Sequence, residues 1–225
     1  KMLGMHGTLE ANYAVQNADL ILGIGNRFDD RTIGNKNTFG INAKKNHGII
    51  HVDNSLQQLN MVKSILTTIP IHSDITYFLL LLLKNKYIYD NSKEIWLNEI
   101  EAVKSKYVKK NLLKLHTNYI IETLSNKLYN HSDYIITTGV GEHQMAFAHY
   151  FTHRYPNRIL SSGSLGTMGV GLPFAIGAQL AKPQSKIILI DGDGSFGMSI
   201  NDIATIKEYN LPIKIILINN KKLGM

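Results

Sequence analysis

Asp193 lies between Gly192 and Gly194, at the end of the apolar run that opens ILIDGDGSFGMS (188–199). Asn220 closes a second apolar run, in ILINNKKLGM (216–225), twenty-seven positions later. A strand, turn, helix and strand fit into that length. Such a βαβ unit makes the two strands parallel, with their C-terminal ends on one edge. Open α/β sheets bind ligands on that edge. A carboxylate and an amide oxygen are hard donors, and with waters and phosphate oxygens they suit Mg2+. Gly192 and Gly194 let the backbone approach a phosphate closely. Ser195 and the start of the next helix can donate hydrogen bonds to it. A GDG alone is usually a turn and an NN alone a strand end. In this order, spacing and strand context they predict a Mg2+–diphosphate clamp.

The elements that must position this clamp repeat along the chain. ADLILGIG (18–25), HGIIHVD (47–53) and TTIPIHSD (67–74) read as buried strands, with helices at 7–17 and 55–64 between them. ITYFLLLLL (75–83) reads as a buried helix, because nine residues fall far short of the ~20 needed to span a bilayer. DYIITTGVG (133–141), SKIILID (185–191) and LPIKIILINN (211–220) are further strands, and NYIIETLSNKL (118–128) is an amphipathic helix. GTMGVGLPFAIGAQLA (166–181), rich in small residues, suits a tightly packed helix, and 200–209 is another. Strands alternating with helices imply an α/β fold with two parallel-sheet, helix-flanked, Rossmann-like domains, the first of them incomplete. The expected organisation is 1–83, a partly helical connector at 84–115, and 116–225.

Two hundred and twenty-five residues can bury a core in each of two modest domains. The absence of cysteine excludes disulfide frameworks and thiolate metal sites. The formal charge of +7 would permit nucleic-acid binding, but the lysines are scattered rather than set in a stripe with aromatics. No nucleic-acid or membrane partner is expected. His6, His51, His72 and His143 have no metal-ligand spacing, and His51 and His72 read as strand-end residues. The chain opens in the style of a domain interior and stops just after a strand, so it reads as a fragment.

GDG, about two dozen residues, then NN resembles the signature of thiamine diphosphate enzymes. GVGEHQMAFAHYF (139–151), SSGSLGTMGVGLPFAIGAQLA (161–181), DGDGSF (191–196) and LINNKKLGM (217–225) resemble the C-terminal domain of acetolactate synthase (acetohydroxyacid synthase) catalytic subunits. LGMHGTLEANYAVQNADLILGIGNRFDDR (3–31) resembles the central, FAD-binding domain of the same family. The resemblance is weakest over the connector.

The resemblance implies three cofactors. Mg2+ would be held by Asp193, Asn220 and the backbone carbonyl of Lys222. Thiamine diphosphate would meet Val140, Gly141, Glu142, His143, Gly166, Met168, Gly192, Asp193, Gly194, Ser195, Asn220, Leu223, Gly224 and Met225. Met168 would be the apolar wedge that bends the cofactor. Without the resemblance, Met168 reads as core filling. Glu142 stands where the family usually has glutamine. Its negative charge is unfavourable beside a diphosphate unless protonated or paired. FAD would meet Gly4, Met5, His6, Gly25, Arg27, Asp29, Arg31, Asp53 and Asp74, with Ser55 where some relatives carry a further acid. GIG alone is a weak dinucleotide signal, and Asp29, Asp30 and Arg31 also read as surface ion pairs.

The implied reaction condenses two pyruvates, or pyruvate and 2-ketobutyrate, with loss of carbon dioxide. The products are 2-acetolactate or 2-aceto-2-hydroxybutyrate, on the route to valine, leucine and isoleucine. The family works as a homodimer or homotetramer with the active site between subunits, sometimes with a regulatory small subunit. It is found in mitochondria or plastids of eukaryotes and in bacterial cytoplasm. Its catalytic glutamate lies in an N-terminal domain that nothing here resembles. No catalytic residue is therefore assigned in this chain, and these residues alone are expected to be inactive. Rival readings are another thiamine-dependent carboligase or 2-keto acid decarboxylase, and a non-catalytic FAD-binding homologue.

Overall fold

The computed structural model describes residues 2–60, 68–85, 93–106 and 116–225. The chain divides into two compact α/β units, Lys1–Lys109 and Lys110–Met225. Among the described residues no helix is long and apolar enough to cross a membrane.

In the first unit the elements run α1 (Leu9–Asn17), β1 (Ile21–Ile24), α2 (Asp30–Ile33), α3 (Ile41–Lys45), β2 (Ile49–Asp53), α4 (Leu56–Asn60), β3 (Ile69–His72), α5 (Ile75–Lys84) and α6 (Lys93–Lys106). Thr8 starts α1, its hydroxyl oxygen accepting from the Ala11 N–H at 3.4 Å. The strands form one parallel sheet in the order β1-β2-β3, with Ile24 opposite Val52 and Asp53 opposite His72. Phe28, Phe39, Ile33, Ala43 and Ile49 build its core, and the rings of Phe28 and Phe39 meet edge to face. Helix α6 packs on α1, where Trp96 stacks on Tyr13. Helix α4 falls within the helix expected at 55–64, whose residues 61–64 lie outside the described residues.

The apolar run 75–83 forms α5, begun by Asp74, whose Oδ1 accepts from the Tyr77 N–H at 3.1 Å. Contrary to expectation, none of its residues is buried, and Leu83 is 81% exposed. One flank rests on β2. A helix that is apolar all round needs cover on every side, and one sheet covers one side only.

The second unit runs α7 (Thr117–Leu128), β4 (Tyr134–Thr138), α8 (Glu142–Tyr150), β5 (Ile159–Leu160), α9 (Gly171–Ala181), β6 (Lys186–Gly192), α10 (Asp193–Gly197), a 3-10 turn (Ile200–Asp202), α11 (Ile203–Glu208) and β7 (Lys214–Ile218). All strands are parallel, in the order β5-β4-β6-β7. Every residue of β4 is buried, as a central strand covered on both faces requires. Alternate side chains enter two cores. Tyr134 and Ile136 join Ile121, Phe147 and Phe151. Ile135 joins Leu172, Ala175, Ile187 and Leu189 on the other face. Helix α9 starts later than the small-residue pattern suggests. Gly166 (φ 64°) and Gly169 (φ 82°) take left-handed conformations that keep the preceding segment a loop.

Candidate functional site

The register of the second sheet brings three strand ends to one edge. Thr138 of β4 lies opposite Ile190 of β6, and Gly192 of β6 lies opposite Ile218 of β7. Each strand therefore releases its next residues beside the others: Gly139–Val140–Gly141 into α8, Asp193–Gly194–Ser195 into α10, and Asn219 to Met225 after β7. A fourth segment, 161–170, arrives between β5 and α9.

Side-chain contacts knit these segments together. Ser195 is 2% exposed, and its Oγ accepts from the Gly169 N–H at 3.0 Å and the Val140 N–H at 3.4 Å. It ties three loops, and its own proton remains available to donate. His143 is also buried, its Nε2 lying 3.3 Å from Oδ1 of fully buried Asp191. Nε2 makes no hydrogen bond of good geometry to that oxygen, so the two are close polar neighbours. Asp191 Oδ1 also accepts from the Gly192 N–H at 2.9 Å. A methyl group on Gly194 would lie 2.7 Å from Leu223 Cδ2 and 3.7 Å from Met168 Cε. Gly194, Met168 and Leu223 therefore border one space, and Gly166 faces Val140 across another.

Glu142, at the first position of α8, accepts a 2.7 Å hydrogen bond from Asn220 Nδ2 through Oε2. Asn220 Oδ1 accepts from the Lys222 N–H at 3.1 Å. Asp193 is half-buried at the first position of α10. Lys222 and Met225 are exposed. Among the described residues no group of three or more His, Cys, Asp or Glu side chains could hold a metal. A cation at this edge would need amide, backbone and phosphate oxygens beside Asp193, the donor set that Mg2+ accepts. The residues present fit Mg2+ and a diphosphate.

The sequence does not reveal Asp191, the first acid of DGDG, as the buried neighbour of His143. It also missed the network around Ser161, whose Oγ is 2.6 Å from Thr138 Oγ1 and accepts from Gln144 Nε2 at 2.8 Å. Both lie in motifs already singled out; burial alone separates their roles.

In the first unit the candidates for FAD fall into two groups. Gly4 (φ 89°) and Met5 pack on α2, the Met5 N–H donating to the Arg31 carbonyl at 2.8 Å. Asn12 brackets Gly4 with two hydrogen bonds, of 2.8 and 3.0 Å. Gly4, Met5 and Arg31 line a cleft of about 500 Å3, a volume suited to a small ligand or part of a larger one. His6, half-buried, follows directly. Gly25, exposed Arg27 and Asp53 instead lie at the ends of β1 and β2 and do not line that cleft. Three carboxylates each commit one oxygen to the local backbone: Asp29 to Thr32, Asp53 to Ser55 and Asp74 to Tyr77. Oδ2 of Asp53 lies 3.9 Å from Nε2 of buried His51. His51 is thus an inner residue of β2, packed edge-on against Phe28, while His72 ends β3. The cleft and the second oxygens of these carboxylates are compatible with a dinucleotide.

Residues 139–225 match the C-terminal TPP binding domain of thiamine pyrophosphate enzymes, and residues 1–82 match their central domain. The chain matches both of these domains of that class. Within it, the chain is a homologue of acetolactate synthase catalytic and large subunits. It is 40% identical to the chloroplastic acetolactate synthase of Arabidopsis thaliana, over 100% of this chain and 33% of the relative. Identity to the mitochondrial acetolactate synthase catalytic subunit of Saccharomyces cerevisiae is 41%, over 100% of this chain and 34% of the relative. To the isozyme 2 large subunit of Escherichia coli it is 36%, over 100% and 39%. The chain thus spans about a third of the length of the curated relatives it matches.

Proposed function

We propose that the protein is the catalytic subunit of an acetolactate synthase. It would condense pyruvate with a second pyruvate or with 2-ketobutyrate, releasing carbon dioxide. The observation that carries this reading is the convergence of Asp193, Asn220 and Glu142 at one sheet edge, in a chain similar to acetolactate synthases over its whole length. Thiamine diphosphate, when bound, supplies the nucleophilic carbon and electron sink that decarboxylation of a 2-keto acid needs. The chain's own residues bind and orient. Asp193, Asn220 and the Lys222 carbonyl would hold Mg2+ against the diphosphate. Gly192 and Gly194 leave it room, while Met168 and Leu223 border the space beyond. Ser195 holds the Val140 and Gly169 loops in register. Gly4, Met5, Arg31 and Asp53 would hold FAD, which serves structure because the reaction has no net redox change. Assembly into a homodimer or homotetramer, and a regulatory small subunit, belong to the same reading.

The test is to give the full-length protein pyruvate, Mg2+, thiamine diphosphate and FAD, and to measure acetolactate. Acetolactate that disappears in Asp193→Ala is the expected result. Acetaldehyde with carbon dioxide would move the protein to the 2-keto acid decarboxylases. FAD binding without turnover would make it a non-catalytic homologue.

A further inference from the structure

Glu142 and Asn220 stand 78 residues apart in sequence, yet Asn220 Nδ2 donates to Glu142 Oε2 at 2.7 Å. A carboxylate only accepts, so this contact fixes which end of the Asn220 amide faces which way. The nitrogen faces Glu142, and the oxygen faces the Lys222 N–H at 3.1 Å. An amide oxygen has two lone pairs, and this turn uses one. The second is left for a cation. A further contact shapes the same spot. A methyl group on Gly224 would meet the Glu142 carboxylate, so the segment after β7 passes close over that carboxylate.

We propose that Glu142 is a positioning residue that couples diphosphate binding to the divalent cation. It orients Asn220 so that the amide oxygen can serve the metal. Its charge adds to that of Asp193 in attracting a cation, and it repels a diphosphate that arrives without one. The cation thereby becomes a condition of cofactor binding rather than an aid to it. This rests on the reading of Asp193 and Asn220 as a Mg2+–diphosphate site.

The test uses the full-length protein and calorimetric titration with thiamine diphosphate, once with excess Mg2+ and once with EDTA. The ratio of the two dissociation constants measures the coupling. Glu142→Gln keeps the size of the side chain and an oxygen that can accept from Asn220, and removes only the charge. It is expected to shrink the ratio about tenfold, the scale of one unit charge roughly 6 Å from a divalent cation under the water-like screening that exposed Glu142 would have. The change should come from tighter binding in EDTA and weaker binding of Mg2+. An unchanged ratio in Glu142→Gln, with a changed one in Glu142→Ala, would reduce Glu142 to a hydrogen-bonded tie between loops and overturn the proposal. Equal ratios in all three proteins would overturn it as well. If the parent protein binds thiamine diphosphate without regard to Mg2+, the reading of the site falls, and this inference with it. Asp193→Ala separates those cases, because it must lower the ratio in any protein where the site is read correctly.

Discussion

Replacing Ser195 by alanine tests whether the loops at the sheet edge are held by one buried hydroxyl. The Ser195 oxygen accepts from Gly169 at 3.0 Å and from Val140 at 3.4 Å, and the residue is 2% exposed. Alanine fills nearly the same volume, so almost no cavity forms, but two N–H groups lose their acceptor. An unsatisfied buried donor costs about 1–3 kcal/mol. The Gly169 contact has normal hydrogen-bond length and carries most of that; the Val140 contact is long and carries a fraction. With tenfold for each ~1.4 kcal/mol, exchange at the Gly169 amide should quicken by about ten- to a hundredfold, and at Val140 by a few-fold. Hydrogen–deuterium exchange with residue-level fragmentation reads both amides. The Ile136 amide, which donates to the Arg158 carbonyl at 2.8 Å inside the sheet, is the internal control and should not change. If Gly169 exchanges at the parental rate while the fold is intact, the hydroxyl does not hold the loops and the argument fails.

Two further perturbations follow from the same geometry. Gly192→Ala would place a methyl group 2.8 Å from His143 Nδ1, on a buried ring with little room to move, and should destabilise the protein by about 1–3 kcal/mol in denaturant titration. Gly194→Ala presses only on Leu223, which is 76% exposed and can swing away, so stability should stay within about 0.5 kcal/mol while thiamine diphosphate binding weakens. Equal stability losses in the two variants would contradict this assignment. Burial pushes the Tyr134 phenol above its ordinary range. Its contribution to stability is therefore complete below the ordinary tyrosine value of about 10 and is lost as the pH rises beyond it. Tyr134→Phe keeps the ring in the core and should flatten the alkaline limb of a stability–pH curve; an unchanged limb would assign that limb to other groups.

Much of the second unit was legible because its strands are short apolar runs ending in glycine or acid, and those endings recur in chain order. The parallel topology followed from alternation, and the placing of the ends of β6 and β7 on one edge followed from the topology. What stayed hidden were matters of depth and distance. Asp191 and Asp193 look alike in DGDG; only the structure shows the first fully buried beside His143 and the second at the start of a helix. Glu142 could be seen as an added charge, but not as the partner of a residue 78 positions away. The glycines of GTMGVG matched a packed helix by composition, and positive φ at Gly166 and Gly169 made them a loop. In the first unit, helix capping by Asp29 and Asp74 and the turn bond of Asp53 are local roles that a sequence cannot separate from ligand binding.

That last ambiguity suggests how to tell a structural glycine from a functional one at this edge. Glycine is required wherever a side chain would collide, but the identity of the obstacle matters. At Gly139 the obstacles are the Asp191 carboxylate and the Ser195 hydroxyl, both buried and fixed by their own partners. That glycine is needed for the fold itself, whether or not a cofactor ever binds. At Gly194 the obstacle is one exposed side chain that can move, so the fold alone does not demand glycine there. The proposed diphosphate would use the space that a methyl group would take. Gly194 adjoins half-buried Asp193, the acid proposed to hold Mg2+ against the diphosphate. Stability should therefore track Gly139 and Gly192, and cofactor affinity should track Gly194.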